Sequence, residues 1–518
     1  MRTADRRKWW ALGALVLAVL AVGLDGTILS VALPTLAAAL HASEADLQWF
    51  TSGYLLVLAA AMLPAGLLGD RYGRKKIMLI ALAFFGAGSA ASAFAPSAGA
   101  LIAARLVLGL AGAGVIVLAL SALTVLFDEA ERPRAVGVWA AANFLALPIG
   151  PILGGWLLTH YWWGWVFLMN VPVALLGLAA TALLVPETRA PRQPGLDLAG
   201  IAGSTAGLVL LTYGMIEAGE HGWLDPGALV PMIAGLAVLV GFFLWEWRLS
   251  RRPGGQPLLD LALFRSAAFT WGVILAGVAV LAMIGVLFTM PQFFQGVLGT
   301  DAMGSGLRLL PLVGGLIAGA LPADRVARRL GVKLTAALGF AVLAAGLLLG
   351  SATQLPASDR VIAGWMAVVG AGMGLTLATT TSAALVELTA ERAGIGSAVL
   401  QALSKLGGPF GAAVLGSVLS AAYQSRLRLG GLPSQTAELA RSSVFGGVAV
   451  ARQLGSPALL DSARAAFTHG MDVALLVSAA IAAAGCLLAL LFLPHRGGAL
   501  PQPEAMRVES EHELAARR

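Results

Sequence analysis

Apolar runs of about twenty residues recur along the whole chain, parted by short segments that hold most of its basic residues. No other feature restricts the fold so strongly. A helix needs roughly 20 apolar residues to cross a ~30 Å hydrocarbon layer, and there every backbone polar group must be paired inside the segment. The runs predict helices over 9–40, 48–68, 76–95, 98–126, 133–158, 165–185, 197–217, 227–247, 266–296, 304–322, 333–350, 360–386, 392–423 and 470–493, fourteen in all. Charged residues make up only 12% of the chain, against about 25% in soluble domains. Mean hydropathy is +0.84. The start, Arg2 to Lys8 and then an apolar run, imitates a secretion signal, but the run continues past Asp25 to Leu40. It is too long for an h-region of about 7–15 residues, and is read as an uncleaved first helix that tilts or bends.

Basic residues set the orientation, because they collect on the cytoplasmic side. With the N-terminus inside, Arg71, Arg74, Lys75, Lys76, Arg248, Arg251, Arg252, Arg325, Arg328, Arg329 and Arg496 fall in the cytoplasm. Before residue 424 only Arg308 and Arg360 fall near the other face. An even helix count returns the C-terminus to the cytoplasm. Residues 424–469 form the longest loop, on the outside. Its 435–453 stretch either lies along the membrane surface or is a plain mobile loop. The polar tail 497–518 is expected to be disordered.

Several function classes drop out. A net charge of +7 and a pI near 10.0 do not indicate nucleic acid, because the cations sit in short loops between apolar runs. A single cysteine, Cys486, allows no intrachain disulfide. The histidines (His41, His160, His221, His469, His495, His512) are too scattered to hold a metal. Neither His-Glu-x-x-His nor Gly-x-Ser-x-Gly occurs, which disfavours an intramembrane hydrolase, and there is no P-loop for a primary pump.

A faint repeat organises the rest. Gly-Asp-Arg-Tyr-Gly-Arg-Lys-Lys (69–76) after helix 2 matches Ala-Asp-Arg-Val-Ala-Arg-Arg-Leu-Gly-Val-Lys (323–333) after helix 10. Gly150-Pro151 with Gly154-Gly155 in helix 5 matches Gly407-Gly408-Pro409 with Gly411 in helix 13. Both matches hold if helices 1–6 correspond to helices 9–14. The expected plan is thus a six-helix half over 1–196, two inserted helices and a linker over 197–265, and a second half over 266–496. Two such halves around a central site are a transporter architecture.

Within that plan a few residues stand out. Asp25 lies about 15 residues into helix 1, roughly 22 Å along the axis, near the membrane centre. An acid there costs about 2.5–3.5 kcal/mol on insertion scales. Burial favours its neutral form, so an acid whose exposure changes takes up and releases a proton; the alternative is a structural acid bonded to a neighbouring helix. Arg105, inside helix 4, either braces helices 1 and 4 through carbonyls or biases the protonation of Asp25. Asp25 is the only clear acid deep in the membrane. Ala142, Ala146, Gly150 and Gly154 form a smooth stripe on which another helix can lie, and Pro151 bends it. The stripe suits either a rocking helix or one packed for stability alone. In the 69–76 loop, Asp70 can cap the next helix or pair across a domain interface, and the cations there could equally be only topology signals. Asn143, Gln292, Phe293, Gln295, Gln401 and Lys405 are intramembrane polar or aromatic groups, and all but Lys405 are candidates to line a substrate cavity.

Four patterns resemble the major facilitator superfamily, specifically its fourteen-helix drug:proton antiporters. They are Gly66-Leu67-Leu68-Gly69-Asp70-Arg71-Tyr72-Gly73-Arg74-Lys75 after helix 2, Leu24-Asp25-Gly26-Thr27-Ile28-Leu29-Ser30-Val31-Ala32-Leu33-Pro34 in helix 1, Arg105 with Gly109 in helix 4, and Gly150-Pro151-Ile152-Leu153-Gly154-Gly155 in helix 5. The chain departs from the usual pattern at Leu108, where relatives often have Gln, at Ser30, where they often have Asn, and at Ala327, where the first-half loop has glycine. The resemblance implies an all-helical major facilitator fold with spans arranged 6+2+6. It implies export of a small amphipathic substrate in exchange for protons, by alternating access in the bacterial inner membrane. Gly66, Gly69, Asp70, Arg71, Gly73, Arg74 and Lys75 would latch the outward-facing state, and Ala146, Gly150, Pro151, Gly154 and Gly155 would be the antiporter motif. No cofactor beyond the proton gradient, no nucleic acid and a monomer among membrane lipids are expected. Rival readings are a transporter of another small solute on the same fold (a siderophore, metabolite or lipid) and a non-transporting sensor.

Overall fold

The computed structural model describes residues 3–127, 135, 146, 149–189, 197–252, 261, 263–353, 358–386 and 393–494. Among these the secondary structure is helical, without strands. The first group comprises α1 (Thr3–Leu40), α2 (Glu44–Tyr72), α3 (Arg74–Ala93), α4 (Ala98–Leu126), α5 (149–160), α6 (Trp165–Leu168) and α7 (Asn170–Leu184). Next come α8 (Leu198–His221) and α9 (Pro226–Ser250). Then follow α10 (Ala267–Gln292), α11 (Ala302–Arg308), α12 (Leu310–Ala320), α13 (Ala323–Leu330), α14 (Val332–Gly350), α15 (Asp359–Val386), α16 (Ala393–Arg426), α17 (Ser434–Ser442), α18 (Val444–Gln453) and α19 (Pro457–Phe492).

Twelve of the described helical segments are long and apolar enough to cross a membrane, and α2 makes thirteen if its two parts count as one span. Those parts meet at 45°, between Met62 and Pro64. A proline lacks the N–H and crowds the preceding turn, which accounts for the bend. Two expected spans are interrupted: 165–185 is α6 plus α7, and 304–322 is α11 plus α12, where Pro311 stands in the first turn after the break at Leu309.

The 424–469 region is not a plain mobile loop. It holds α17, α18 and the first turns of α19, whose helix starts at Pro457 and not at 470. Ser456 caps that start by accepting from the Leu459 N–H. Ala440, Val444, Val450 and Ala451 are buried. The Tyr423 hydroxyl donates to Ala440 O at 2.8 Å, so the segment is folded onto the end of α16.

Lipid gives helices no hydrophobic drive to associate, so close van der Waals contact must hold them, and small residues make it possible. The 64 glycines supply it at specific crossings. A Cβ on Gly109 of α4 would meet Tyr54 O of α2 at 2.5 Å. In α12, Gly315 and Gly319 lie against Ala367 and Ala371 of α15, whose Gly370 and Gly374 return the contact to Leu312 and Leu316. The helix-5 stripe lies on α1: a Cβ on Gly150 would meet Thr27 Cβ at 2.8 Å, and one on Gly154 would meet Ile28 Cγ2 at 3.0 Å. Gly407 and Gly411 of α16 lie on α10 in the same manner, with a Cβ on Gly411 2.6 Å from Leu281 O.

Helices α8 and α9 pack on each other, joined by Asp197, which accepts from Trp245 Nε1 at 3.0 Å. Helix α8 touches α2 and α16, whereas α9 turns Val230, Ile233, Leu236, Val240 and Phe243 outward. Such a surface is stable only against hydrocarbon.

Candidate functional site

Asp25 is buried, 2% exposed, and it is not alone. Arg105 Nη1 from α4 donates to its Oδ2 and pairs with it, and Asn170 Nδ2 from α7 donates to its Oδ1 at 3.0 Å. The guanidinium also donates from Nε to Phe50 O at 3.1 Å and lies over the Tyr54 ring, 4.1 Å from the centroid. Both readings of Arg105 therefore meet in one place: it braces α2 through a carbonyl and holds the acid of α1. Asn170 was not anticipated; it is the lone amide in the apolar stretch 165–184. Its Oδ1 is buried without a hydrogen-bond partner. Nor is Asp25 the only acid inside the bundle: Glu44 and Glu246 are buried, and Asp472 has a buried, unpartnered Oδ1.

Beside this cluster lies a cavity of about 190 Å³. Gly23, Gly26, Thr27 and Ser30 of α1, Thr51, Tyr54 and Leu55 of α2, Pro151 of α5, Ile284 and Leu287 of α10, Leu312 and Leu316 of α12 and Lys405 of α16 are among its walls. Asp25 is not; Tyr54 stands between the cavity and Arg105. The four wall hydroxyls donate to backbone carbonyls: Ser30 to Thr27 O (2.7 Å), Thr27 to Ala146 O (2.9 Å), Thr51 to Leu47 O (3.4 Å) and Tyr54 to Val22 O (3.1 Å).

The proposed cavity residues go elsewhere. Gln292, Phe293, Gln295 and Gln401 are not in this wall, and Asn143, like Ala142, lies outside the described residues. Phe293 is fully buried in the core. After Pro291, α10 widens into a π-helical turn, Phe293–Val297, and Gln292 and Gln295 bind other helices there. Gln292 donates to Glu44 Oε1 of α2 at 3.2 Å, and Gln295 donates to Val31 O of α1 at 3.1 Å. Nearby, a Cβ on Gly155 would meet Met303 Cα of α11 at 2.7 Å, and Gly306 lies against Pro151 O. The motif of helix 5 is thus two-sided: Ala146, Gly150 and Gly154 face α1, while Pro151 and Gly155 face α11. The bundle is closed at this end.

The Gly66–Lys75 loop occupies the opposite end. Gly66 and Gly69 let α2 approach Val117 and Leu118 of α4. Asp70 pairs with Arg74 of its own loop at 2.7 Å, and Arg71 lies over Tyr72. Among the described residues no bond joins this loop to 323–333. It is held by Glu187, just past α7, whose carboxylate accepts from the N–H groups of Lys75 and Lys76, both at 3.2 Å, at the start of α3. An anion there meets orphan donors and the positive helix end. Lys75 Nζ donates to Ala182 O at 2.6 Å. Gly73 has φ +115, and a Cβ on it would meet Glu187 Oε1 at 2.6 Å, so glycine is required twice over. Glu187 was missed in the sequence, although an acid directly after a helix and level with a basic loop is a readable signal.

A many-helix membrane bundle, closed at one end around a central cavity and holding a buried ion pair, defines a transporter. The chain belongs to the Major Facilitator Superfamily, whose sequence model matches residues 15–412. It is 33% identical to the tetracenomycin C resistance and export protein of Streptomyces glaucescens, over 93% of this chain and 91% of that one. It is 34% identical to the multidrug efflux pump LfrA of Mycolicibacterium smegmatis, over 92% and 96%. It is 33% identical to the methyl viologen resistance protein SmvA of Salmonella typhimurium, over 94% and 97%. Among solved structures it shares its fold with a bacterial homolog of the human lysosomal transporter Spinster, inward-facing and unoccupied (TM-score 0.66, 18% identity, 95% of this chain and 98% of that one). A D-xylose–proton symporter also matches (TM-score 0.59, 16% identity, 95% and 99%).

Proposed function

We propose that this protein exports amphipathic small molecules in exchange for protons, by alternating access of two six-helix halves. Helices α2 and α5 then complete fourteen spans, with α8 and α9 inserted between the halves, and both termini lie in the cytoplasm. On this reading the Gly66–Lys75 loop is cytoplasmic and the closed end faces outside. The loop's internal pairing is what an unfastened latch requires, and the relatives' printed names, resistance and export, favour outward cargo movement.

The observation that carries the proposal is the cluster of Asp25, Arg105 and Asn170 behind Tyr54. In the present state both carboxylate oxygens are engaged, by a guanidinium and an amide N–H, and the group is buried. Asp25 therefore exchanges its proton in the other state, when α1 shifts against α4 and α7. Protonation cancels the attraction to Arg105, and a flipped Asn170 amide offers Oδ1 to the new O–H. Cargo that favours the ionised form and protons that oppose it are then linked reciprocally.

The test is proton release upon dye addition in vesicles, wild type beside Asp25→Asn. The variant is expected to bind dye and lose the coupled proton signal. Normal proton exchange by the variant would overturn the assignment of Asp25.

A further inference from the structure

The cavity wall contains one acidic or basic side chain among the described residues, and it is basic. Lys405 projects from α16 into a space walled by Leu55, Leu58, Ile284 and Leu287. No hydrogen bond or ion pair engages its ammonium among the described residues. Asp25 does not serve it: that carboxylate lies outside the wall and is engaged by Arg105 and Asn170. The wall hydroxyls have directed their protons to backbone carbonyls. Among the described residues, Lys405 is therefore the one wall side chain with donors left for a guest.

An ammonium surrounded by hydrocarbon lacks the hydration that water would supply, and an anion brought to it stabilises the charged form. An apolar molecule with an acidic group satisfies both parts of this wall, its body against the leucines and its anion against Nζ. A cation would meet like charge. At about 190 Å³ the cavity is smaller than the ~300–1,000 Å³ usual for drug-sized ligands, so this state is contracted and loading requires it to widen.

We infer that the cargo class is acidic amphiphiles, aromatic or aliphatic molecules carrying a carboxylate or phenolate that sits against Lys405. This rests on the export reading above and names its substrate.

The experiment compares 9-anthracenecarboxylate with its uncharged methyl ester. Binding is measured by fluorescence on the full-length protein in lipid nanodiscs, and export in vesicles. Wild type is expected to bind the acid roughly ten- to a hundred-fold more tightly than the ester, the range of a charge-assisted hydrogen bond. Lys405→Gln brings that ratio to about one, and Lys405→Arg restores most of it. Wild-type protein that binds the acid no better than the ester, or binds neither, overturns the inference without any variant. A Lys405→Gln ratio equal to wild type overturns it too. If the acid is preferred but neither compound is exported, the export reading fails and the charge assignment stands. If both are exported with equal affinity, the reverse holds.

Discussion

The ion pair between α1 and α4 invites a double-mutant cycle on Asp25 and Arg105. Their exposures are 2% and 1%, so the ~0–1 kcal/mol typical of surface pairs does not apply. Removing one member of a buried pair costs about 3–5 kcal/mol, because the other is left without its counter-charge. Arg105→Met also deletes the bond to Phe50 O, worth roughly 1.5–3 kcal/mol for a charged donor, and the contact with the Tyr54 face, about 2 kcal/mol when desolvated. These contributions overlap, so about 4 kcal/mol is expected for Arg105→Met. Asp25→Asn keeps the shape but strands the guanidinium, for about 3 kcal/mol. The double variant contains no unmatched charge, and its loss should fall short of the summed single losses by about 2–4 kcal/mol. Reversible unfolding in mixed detergent micelles, followed by tryptophan fluorescence, gives all three values. A double loss equal to the sum within ~0.5 kcal/mol would refute the argument that these residues act as one electrostatic unit.

Two further perturbations probe the ends of the bundle. Gly73→Ala meets both a positive φ and the Glu187 carboxylate, and should cost about 1–3 kcal/mol; Glu187→Ala in the same background should recover part of it, read by thermal unfolding, and no recovery would mean the collision is not the cause. Gly155→Leu drives a side chain into the α11 backbone and should hold that end apart; spin labels on His160 and Leu307 are expected to show a longer mean distance than in wild type, and an unchanged distance would show that α5 and α11 do not form the closure.

The apolar runs were legible because lipid is a uniform solvent: twenty such residues have few alternatives. The break at Leu309 and the helices α17 and α18 were not, since a short amphipathic stretch is stabilised by whatever it lies on, here Tyr423 and α19. Asp25 and Arg105 were each visible as anomalies in hydrocarbon. Their contact depends on how α1 lies against α4, where a Cβ on Gly112 would meet Val22 Cγ1 at 3.0 Å, and periodicity alone does not reveal that. Gln292 and Gln295 read as cavity residues from their polarity alone; Gln292 at the end of α10 meets α2, and Gln295 inside the π turn meets α1. Lys405 stands in the sequence only as an intramembrane polar group, and its place in the wall depends on how α16 is set against α1 and α2.

The inward-directed hydroxyls of the cavity carry an evolutionary consequence. Because Ser30, Thr27, Thr51 and Tyr54 are bound to the protein's own backbone, exchanging one aliphatic wall residue for another leaves no polar group orphaned. Each such change reshapes the chamber at the cost of packing alone, so its repertoire of guests can drift in single steps without the scaffold losing its footing.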